Sequence, residues 1–180
     1  LFRIRNLGFR GEALASIASV AKIELWTSDG ESTGTEVFID GGKLMRHDDA
    51  AYRKGTDITV SQLFFNTPAR LKYMKTIQTE LGHTIGLVNR LALSHPHIAF
   101  KLTHYSQSLL QTSGSGDQLR VLADIYGLSA ARKLVQFKGE NAYYSTYGYV
   151  SLPEMTRAPR KYMTTTLQGR RRQRAASDRA

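Results

Sequence analysis

The chain has 180 residues, 41% of them hydrophobic, and no cysteine. This length allows one full domain and part of another, and the absence of cysteine excludes a disulfide framework and a thiolate metal site. No run reaches the roughly 20 apolar residues of a membrane-spanning helix, and no signal-peptide pattern is present, so we expect a cytoplasmic protein that binds no membrane. The histidines have no carboxylate at ligand spacing, and we expect no metal site.

Positive charge is concentrated in the last part of the sequence. The formal charge is +10, and residues 155–180 contribute +7 through eight basic residues against one aspartate. A basic patch is typical of nucleic-acid binding, but the rest of the chain is only mildly basic. Because the apolar alternation of a strand is lost after Thr166, we interpret residues 166–180 as a disordered basic tail and assign no DNA site to it.

The order of apolar and turn residues predicts an α+β chain. A helix over 12–20 comes first, with Ala13, Leu14, Ile17, Ala18 and Ala21 on a face that packs on a core. Strands follow at 22–28, 35–40, 43–46 and 57–64, helices at 67–74 and about 80–94, and a hairpin at 98–103 and 108–112. The first domain is therefore expected to have helices on one face of a mixed, mostly antiparallel sheet.

A stretch of small residues at 113–116 predicts a domain boundary. Beyond it we expect a helix over 117–126, closed by Gly127, and strands at 134–137 and 142–152. Four tyrosines lie in the last of these strands: Tyr143, Tyr144, Tyr147 and Tyr149. They could stack on nucleic-acid bases, but aromatic residues in strands more often pack in a core or pair across strands, and we favour that interpretation.

The strongest functional signal is a helix start between two glycines, Gly-Phe-Arg-Gly-Glu-Ala-Leu at residues 8–14. The first N–H groups of a helix have no intrahelical acceptor and carry partial positive charge, so they bind anions. Gly8 and Gly11 tolerate positive φ and a close ligand, and Arg10 adds donors that suit phosphate oxygens. A glycine turn before a core helix would produce the same pattern without a ligand.

Two motifs together resemble one family. Residues 8–14 are similar to the signature of the MutL family of DNA mismatch repair proteins, which belongs to the GHKL ATPase superfamily. Residues 54–70 resemble the family's second block, in which a Gly-Thr pair and a strand precede Leu-Phe-Phe-Asn-Thr-Pro-Ala-Arg. Looser similarity at 91–96 and 125–127 extends the resemblance over about residues 1–165.

The resemblance implies a fold and a site. Residues 1–113 would be part of a GHKL ATPase-like two-layer sandwich, incomplete at its N-terminus. Residues 117–165 would be a partial βαβ domain like that of a small ribosomal subunit protein. The implied cofactor is ATP, with Mg in the intact parent, and Thr56 would bond the adenine from a strand. The implied ATP-binding residues are Gly8, Phe9, Arg10, Gly11, Glu12, Ala13, Leu14 and Thr56.

The resemblance implies no catalytic residue in this chain. The family's ATPase needs, before the lid, a glutamate that activates water and an asparagine that ligates Mg²⁺, and neither can be placed here. We therefore expect a fragment that does not hydrolyse ATP alone. From the residues themselves, Thr56 would be an ordinary strand residue, and Asn66 or Thr67 would cap a helix that starts at Pro68.

For the intact parent, the resemblance implies DNA mismatch repair in which ATP closes the lid and drives homodimerisation. The implied partners are mismatched duplex DNA, a MutS-like sensor and downstream repair factors, in the bacterial cytoplasm at the nucleoid. One alternative is another GHKL ATPase such as a topoisomerase subunit, against which the Asn-Thr-Pro-Ala-Arg block argues. Another is a non-enzymatic nucleic-acid-binding module that uses the basic tail and is strongly salt-sensitive.

Overall fold

The computed structural model describes residues 11–155, 164–167 and 170–171. The chain divides into two compact units, Leu1–Thr76 (unit 1) and Ile77–Ala180 (unit 2). Both units contain helices and antiparallel strands. No helix in the described ranges combines the length and the apolar character that a bilayer crossing requires.

Unit 1 is built on a four-stranded antiparallel sheet with the spatial order β3-β2-β1-β4. Its elements are α1 (Ala13–Ala18), β1 (Lys22–Ser28), β2 (Gly34–Asp40), β3 (Lys43–Ala50), β4 (Gly55–Ser61) and α2 (Pro68–Leu71). β4 ends before the predicted residue 64, because Gln62 and Phe64 adopt positive φ values of 51° and 65° that a strand cannot contain.

Side chains alternate between the two faces of this sheet. Ile23, Leu25 and Thr27 of β1 share one face, and Ile23 is fully buried, with 0% of its surface exposed. Glu24 and Trp26 lie on the opposite face. The face that carries Ile23 is therefore the face that contributes to the core of unit 1.

The predicted turn after β1 forms around Asp29. Its Oδ1 accepts the backbone N–H groups of Glu31 and Ser32 at 2.8 and 3.0 Å. Gly30 has a φ of +81°, which is why glycine suits this position. These hydrogen bonds hold the pKa of the Asp29 carboxyl below its ordinary value, the bond from Glu31 contributing most.

The predicted buried face of α1 is only partly correct. Ala18 and Ala21 are buried, but Leu14 and Ile17 are each 38% exposed, and Ala13 is exposed as well. The helix has six residues, so it is shorter than its periodicity predicts, and only its C-terminal end reaches the sheet. The residues of its first turn are exposed.

Unit 2 contains three helices and three strand pairs in the described ranges. Its elements are α3 (Ile77–Ser94), β5 (Lys101–His104), β6 (Gln107–Gln111), α4 (Gln118–Tyr126), α5 (Leu128–Ala131), β7 (Leu134–Glu140), β8 (Ser145–Ser151), a 3-10 turn (Pro153–Met155), β9 (Thr166–Leu167) and β10 (Arg170–Arg171). Each pair, β5 with β6, β7 with β8 and β9 with β10, is antiparallel.

Helices α3 and α4 and strand β6 share one apolar core. Ala92 and Leu93 of α3, Leu110 of β6 and Val121 of α4 form a buried cluster. Thr112 is the buried polar side chain beside it, and its Oγ1 accepts the N–H of Phe100 at 2.9 Å. The hydroxyl is therefore buried with its hydrogen bond satisfied.

The chain segments on both sides of residues 113–116 contribute to this core, because β6 precedes that stretch and α4 follows it. The structure divides the chain at Thr76 instead. The domain bounds 1–113, 117–165 and 166–180 remain predictions that describe the family's domains. Most of the predicted tail lies outside the described residues, within which Thr166–Leu167 pairs with Arg170–Arg171.

Three of the four tyrosines in the β7–β8 region are not packed in a core, although Tyr147 has a neighbour across the strands. Tyr143, Tyr144 and Tyr147 are 86%, 70% and 70% exposed. Tyr147 lies opposite Lys138 in the strand pair, so its neighbour across the strands is a charged residue. Tyr143 and Tyr144 precede β8 in the connecting turn, where their N–H groups donate to Asn141 Oδ1, both at 2.8 Å.

Candidate functional site

The predicted phosphate-binding segment is described from Gly11 onward; Gly8, Phe9 and Arg10 lie outside the described residues. Gly11 has a φ of +69°, and no described atom lies within 4 Å of the position that a Cβ would take. Glu12 follows at the N-cap of α1 with helical φ and ψ of −91° and −15°. The backbone thus turns at a glycine and enters the helix within one residue.

The first turn of α1 has no side-chain cap. Glu12 makes no capping hydrogen bond, and its carbonyl accepts the first helical N–H, from Ser16, at 2.9 Å. The N–H groups of Ala13 and Leu14 lie between this acceptor and the first helical donor, Ser16, and have no intrahelical partner. They are therefore available to an anion, and the exposed Glu12 side chain leaves them open.

Ser19, the C-cap of α1, and the two residues that follow it accept three hydrogen bonds from two loops. The carbonyl of Val20 accepts the N–H of Phe64 at 2.7 Å, and the carbonyl of Ser19 accepts the Asn66 Nδ2 group at 2.9 Å. The carbonyl of Ala21 accepts the N–H of Gly41 at 3.1 Å. These three bonds, named here the α1 anchor, connect the helix to the β2–β3 turn and to the loop after β4.

The role of Asn66 differs from the helix cap that the sequence suggests for Asn66 or Thr67. Pro68 begins α2 and Thr67 occupies the N-cap, as predicted. Thr67 makes no side-chain capping bond, and its buried Oγ1 has no hydrogen-bond partner in the described part of the chain. Asn66 bonds a helix end 47 residues earlier in the sequence. No local pattern indicates a contact of that range.

Thr56, the predicted adenine contact, lies on the edge strand β4. It is opposite Thr27 in the β1–β4 register, and the two hydroxyl oxygens are 2.8 Å apart. A hydroxyl has one donor and two acceptor sites, so this pair retains capacity for a further polar group. Ile58 and Val60 follow on the same face of the strand, each 45% exposed.

The two parts of the predicted site lie at different ends of β1. α1 precedes its first residue, Lys22, whereas Thr56 pairs with Thr27 near its last. No hydrogen bond found within residues 11–155 joins Gly11 or its successors in α1 to Thr56. The described residues of both parts therefore belong to unit 1, without a direct hydrogen bond between α1 and Thr56 among them.

A cavity of about 460 Å³ lies on the opposite face of the sheet from Thr56. Trp26, Glu24 and Asp57 line it, and the guanidinium of Arg53 lies 4.8 Å from the centre of the Trp26 ring. Because these side chains alternate away from Thr56 along the strands, the cavity is not part of the predicted nucleotide site. Within the described ranges, no group of three or more His, Asp or Glu residues is arranged to hold a metal ion.

Relatives of known name match nearly the whole sequence. The chain is 61% identical over 170 residues to the DNA mismatch repair protein MutL of Anoxybacillus flavithermus, covering 94% of this chain and 28% of that protein. It is 59% identical, with the same coverage, to MutL of a Geobacillus species. The chain therefore spans little more than a quarter of the length of these relatives. No protein-family model matches it.

Solved structures agree in fold. The Aquifex aeolicus MutL ATPase domain complexed with ADP superposes with a TM-score of 0.64 at 27% identity, covering 71% of this chain and 52% of that one. The N-terminal domain of a DNA repair protein gives a TM-score of 0.67 at 24% identity, covering 82% and 50%, a likeness that concerns the fold alone. The predicted α+β, GHKL ATPase-like fold class is confirmed.

Proposed function

Because this chain belongs to the MutL family of DNA mismatch repair proteins, we propose that it forms the phosphate-binding side of a nucleotide site that controls mismatch repair. One observation carries the proposal: an uncapped helix start directly after a glycine at φ +69°. It occurs in a chain similar in fold and sequence to a MutL ATPase domain complexed with ADP. Such a start offers free N–H groups to an anion.

Each residue has a role in this proposal. The N–H groups of Ala13 and Leu14 bind phosphate oxygens, and Gly11 allows the phosphate to approach the backbone closely. Arg10 and the preceding Gly8 and Phe9 complete the lid, and the hydroxyl pair of Thr56 and Thr27 bonds the base. Bound ATP supplies acceptors for the N–H groups that no side chain caps. We assign no residue of this chain to Mg²⁺ and none to the cleavage of ATP.

In the whole protein, the nucleotide state couples mismatch recognition to repair. ATP favours the closed lid because the closed state offers its phosphates additional N–H and Arg10 contacts, and a ligand shifts a conformational equilibrium only through such differential contacts. Closure brings two copies together and presents them to a mismatch sensor, duplex DNA and downstream repair factors. This action takes place in the bacterial cytoplasm, at the nucleoid.

The test uses a chimeric full-length MutL. In the Anoxybacillus flavithermus protein, the segment that matches this chain over 170 residues is replaced by this chain. The affinity of the chimera for ADP is measured by calorimetry. We expect the chimera to bind ADP and Gly11→Val to weaken binding at least about tenfold, because a β-branched residue is strained at positive φ and displaces the helix start.

Gly116→Val is the matched control for this substitution. Gly116 also has a positive φ, +84°, and no described atom within 4 Å of a Cβ position, but it lies in unit 2, outside the proposed site. The ADP affinity of the Gly116→Val chimera should equal that of the unmodified chimera. A host protein that binds ADP while the chimera does not, or equal affinities for the two glycine variants, would contradict the proposal.

A further inference from the structure

The α1 anchor fixes a helix that has little other support. Of the residues in α1, only Ala18 is buried, while Leu14 and Ile17 are 38% exposed. The first turn has no capping bond. Since apolar burial contributes little at this end of the described structure, the hydrogen bonds at the C-terminal end determine the direction in which the helix start points.

Asn66 supplies the side chain of the anchor, whereas the bonds from Phe64 and Gly41 are made by backbone N–H groups. The carbonyl of Ser19 can only accept, so the amide nitrogen of Asn66 must face it. A substitution at residue 66 can therefore remove one bond of the anchor while leaving both backbone bonds in place.

The surroundings of Asn66 are shaped to hold it against the β2–β3 turn. A Cβ at Gly41 would lie 3.3 Å from Asn66 Nδ2 and 3.2 Å from Phe65 Cζ, so glycine leaves the space that the amide occupies. In the loop itself, Gln62 and Phe64 adopt left-handed φ values of 51° and 65°. Strain of this kind persists where surrounding contacts impose it, and here it directs the Phe64 N–H to Val20.

We propose that Asn66 is a positioning residue of the nucleotide site: by bonding the Ser19 carbonyl, it sets the orientation of α1 and thus of the N–H groups that bind phosphate. This inference rests on the function proposed above. Asn66 touches no nucleotide in this account and acts through the helix.

The same substitution, Asn→Asp, at two exposed asparagines separates the loss of the Asn66 amide donor from the general effect of adding a negative charge. Asn66→Asp keeps the shape but places an acceptor against the Ser19 carbonyl. Asn141→Asp keeps both hydrogen bonds of the side chain, because Asn141 Oδ1 accepts the N–H groups of Tyr143 and Tyr144 and a carboxylate accepts them too. Asn66→Ala removes the bond without the repulsion.

The first measurement is amide hydrogen exchange in this chain. We expect Asn66→Asp and Asn66→Ala to accelerate exchange of the amides of residues 16–20 and of Phe64 by about three- to tenfold, the worth of one hydrogen bond. Exchange in β1 and β2 should stay unchanged, and Asn141→Asp should alter neither region. Equal acceleration throughout unit 1 would mean that Asn66 only stabilises the fold and would overturn the proposal, as would no acceleration in α1.

The second measurement is ADP affinity in the chimeric MutL. Asn66→Asp should weaken ADP binding by about three- to tenfold, Asn66→Ala by less, and Asn141→Asp not at all. If the unmodified chimera binds no ADP, the proposed function fails, and the positioning role fails with it. If it binds ADP and the Asn66 variants bind equally well, the proposed function stands and the positioning role is wrong.

Discussion

Helices α1 and α4 are fixed by different means. α4 is capped at its start by Asp117, whose Oδ1 accepts the N–H groups of Leu119 and Arg120 at 2.9 and 3.3 Å, and Val121 in its middle is 2% exposed. α1 has no side-chain cap, exposes its first turn and is held by hydrogen bonds at its far end. Burial makes α4 part of the scaffold of unit 2, whereas α1 keeps a free N-terminal turn.

The comparison of α1 with α4 indicates which contacts a ligand-binding helix retains. In a helix start that is already capped, the first N–H groups donate to a side chain of the same chain and are not available to a ligand. A fully buried helix cannot adjust to a ligand. The anchor on α1 fixes one end without closing the other. Substitutions should therefore separate the two helices, with large effects on stability around α4 and small ones at the start of α1.

The largest effect is expected in the core beneath α4. Leu110 is 4% exposed and packs with Val121 and Leu93, so Leu110→Ala should lower the free energy of unfolding of unit 2 by about 2–5 kcal/mol through lost burial and a residual cavity. Urea unfolding measures the loss, and amide exchange locates it. If amides in α1 exchanged faster to the same extent, the loss of stability would not be confined to the core around α4, which would contradict the prediction.

Two glycines before α4 provide a matched pair with a smaller effect. A Cβ at Gly114, where φ is +68°, would lie 2.6 Å from the backbone nitrogen of Ala99, whereas Gly116, with φ +84°, has open space. Gly116→Ala should cost about 1–2 kcal/mol of unfolding free energy from left-handed strain alone. Gly114→Ala should cost about 1–3 kcal/mol more because the backbone must shift. Equal urea midpoints would contradict the close packing at Gly114.

The two helix starts should respond differently to alanine. Asp117→Ala removes the α4 cap and should lower the free energy of unfolding by about 1 kcal/mol. Glu12→Ala removes a side chain that makes no capping bond and should change it by less than about 0.5 kcal/mol. Thermal unfolding of both variants measures the contrast. A loss at Glu12 as large as that at Asp117 would show that the start of α1 is capped after all.

The smallest effect concerns the turn after β1 and depends on pH. Hydrogen bonds from Glu31 and Ser32 keep the folded-state pKa of Asp29 below its ordinary value of 3.8. The ionised carboxylate therefore stabilises the fold above that ordinary value, and this stabilisation is lost as the pH falls through the folded-state pKa. Asp29→Ala should lower the urea midpoint at pH 7, and the difference from the unmodified chain should vanish in strong acid. A difference in urea midpoint that grows as the pH falls would contradict the lowered pKa of Asp29.

Local signals predicted much of the fold. The bounds of β1 follow from alternation between residues 22 and 28, and the Asp29-Gly30 pair gives the turn. Asp117 and Gly127 mark the ends of α4 because capping is decided within a few residues. In the candidate site, the residues of the helix start were found from their glycine spacing and from the family resemblance.

Contacts between distant segments were not predictable in the same way. The bond from Asn66 to Ser19 spans 47 residues, and the same Asn-Thr-Pro sequence satisfies the rules for a helix cap. The exposure of Leu14 and Tyr143 depends on what covers each element, which periodicity cannot state. The pairing of Thr56 with Thr27 depends on sheet order, since β4 joins β1 rather than β3, its neighbour in sequence.

Amide hydrogen exchange of the chimeric MutL with and without ADP would locate the phosphate-binding N–H groups. We expect ADP to slow exchange at residues 11–14, where the N–H groups bind phosphate, and we expect Gly11→Val to abolish this protection while Gly116→Val preserves it. Binding of ADP with unchanged exchange at residues 11–14, and new protection confined to other segments, would show that the phosphate does not bind at the start of α1.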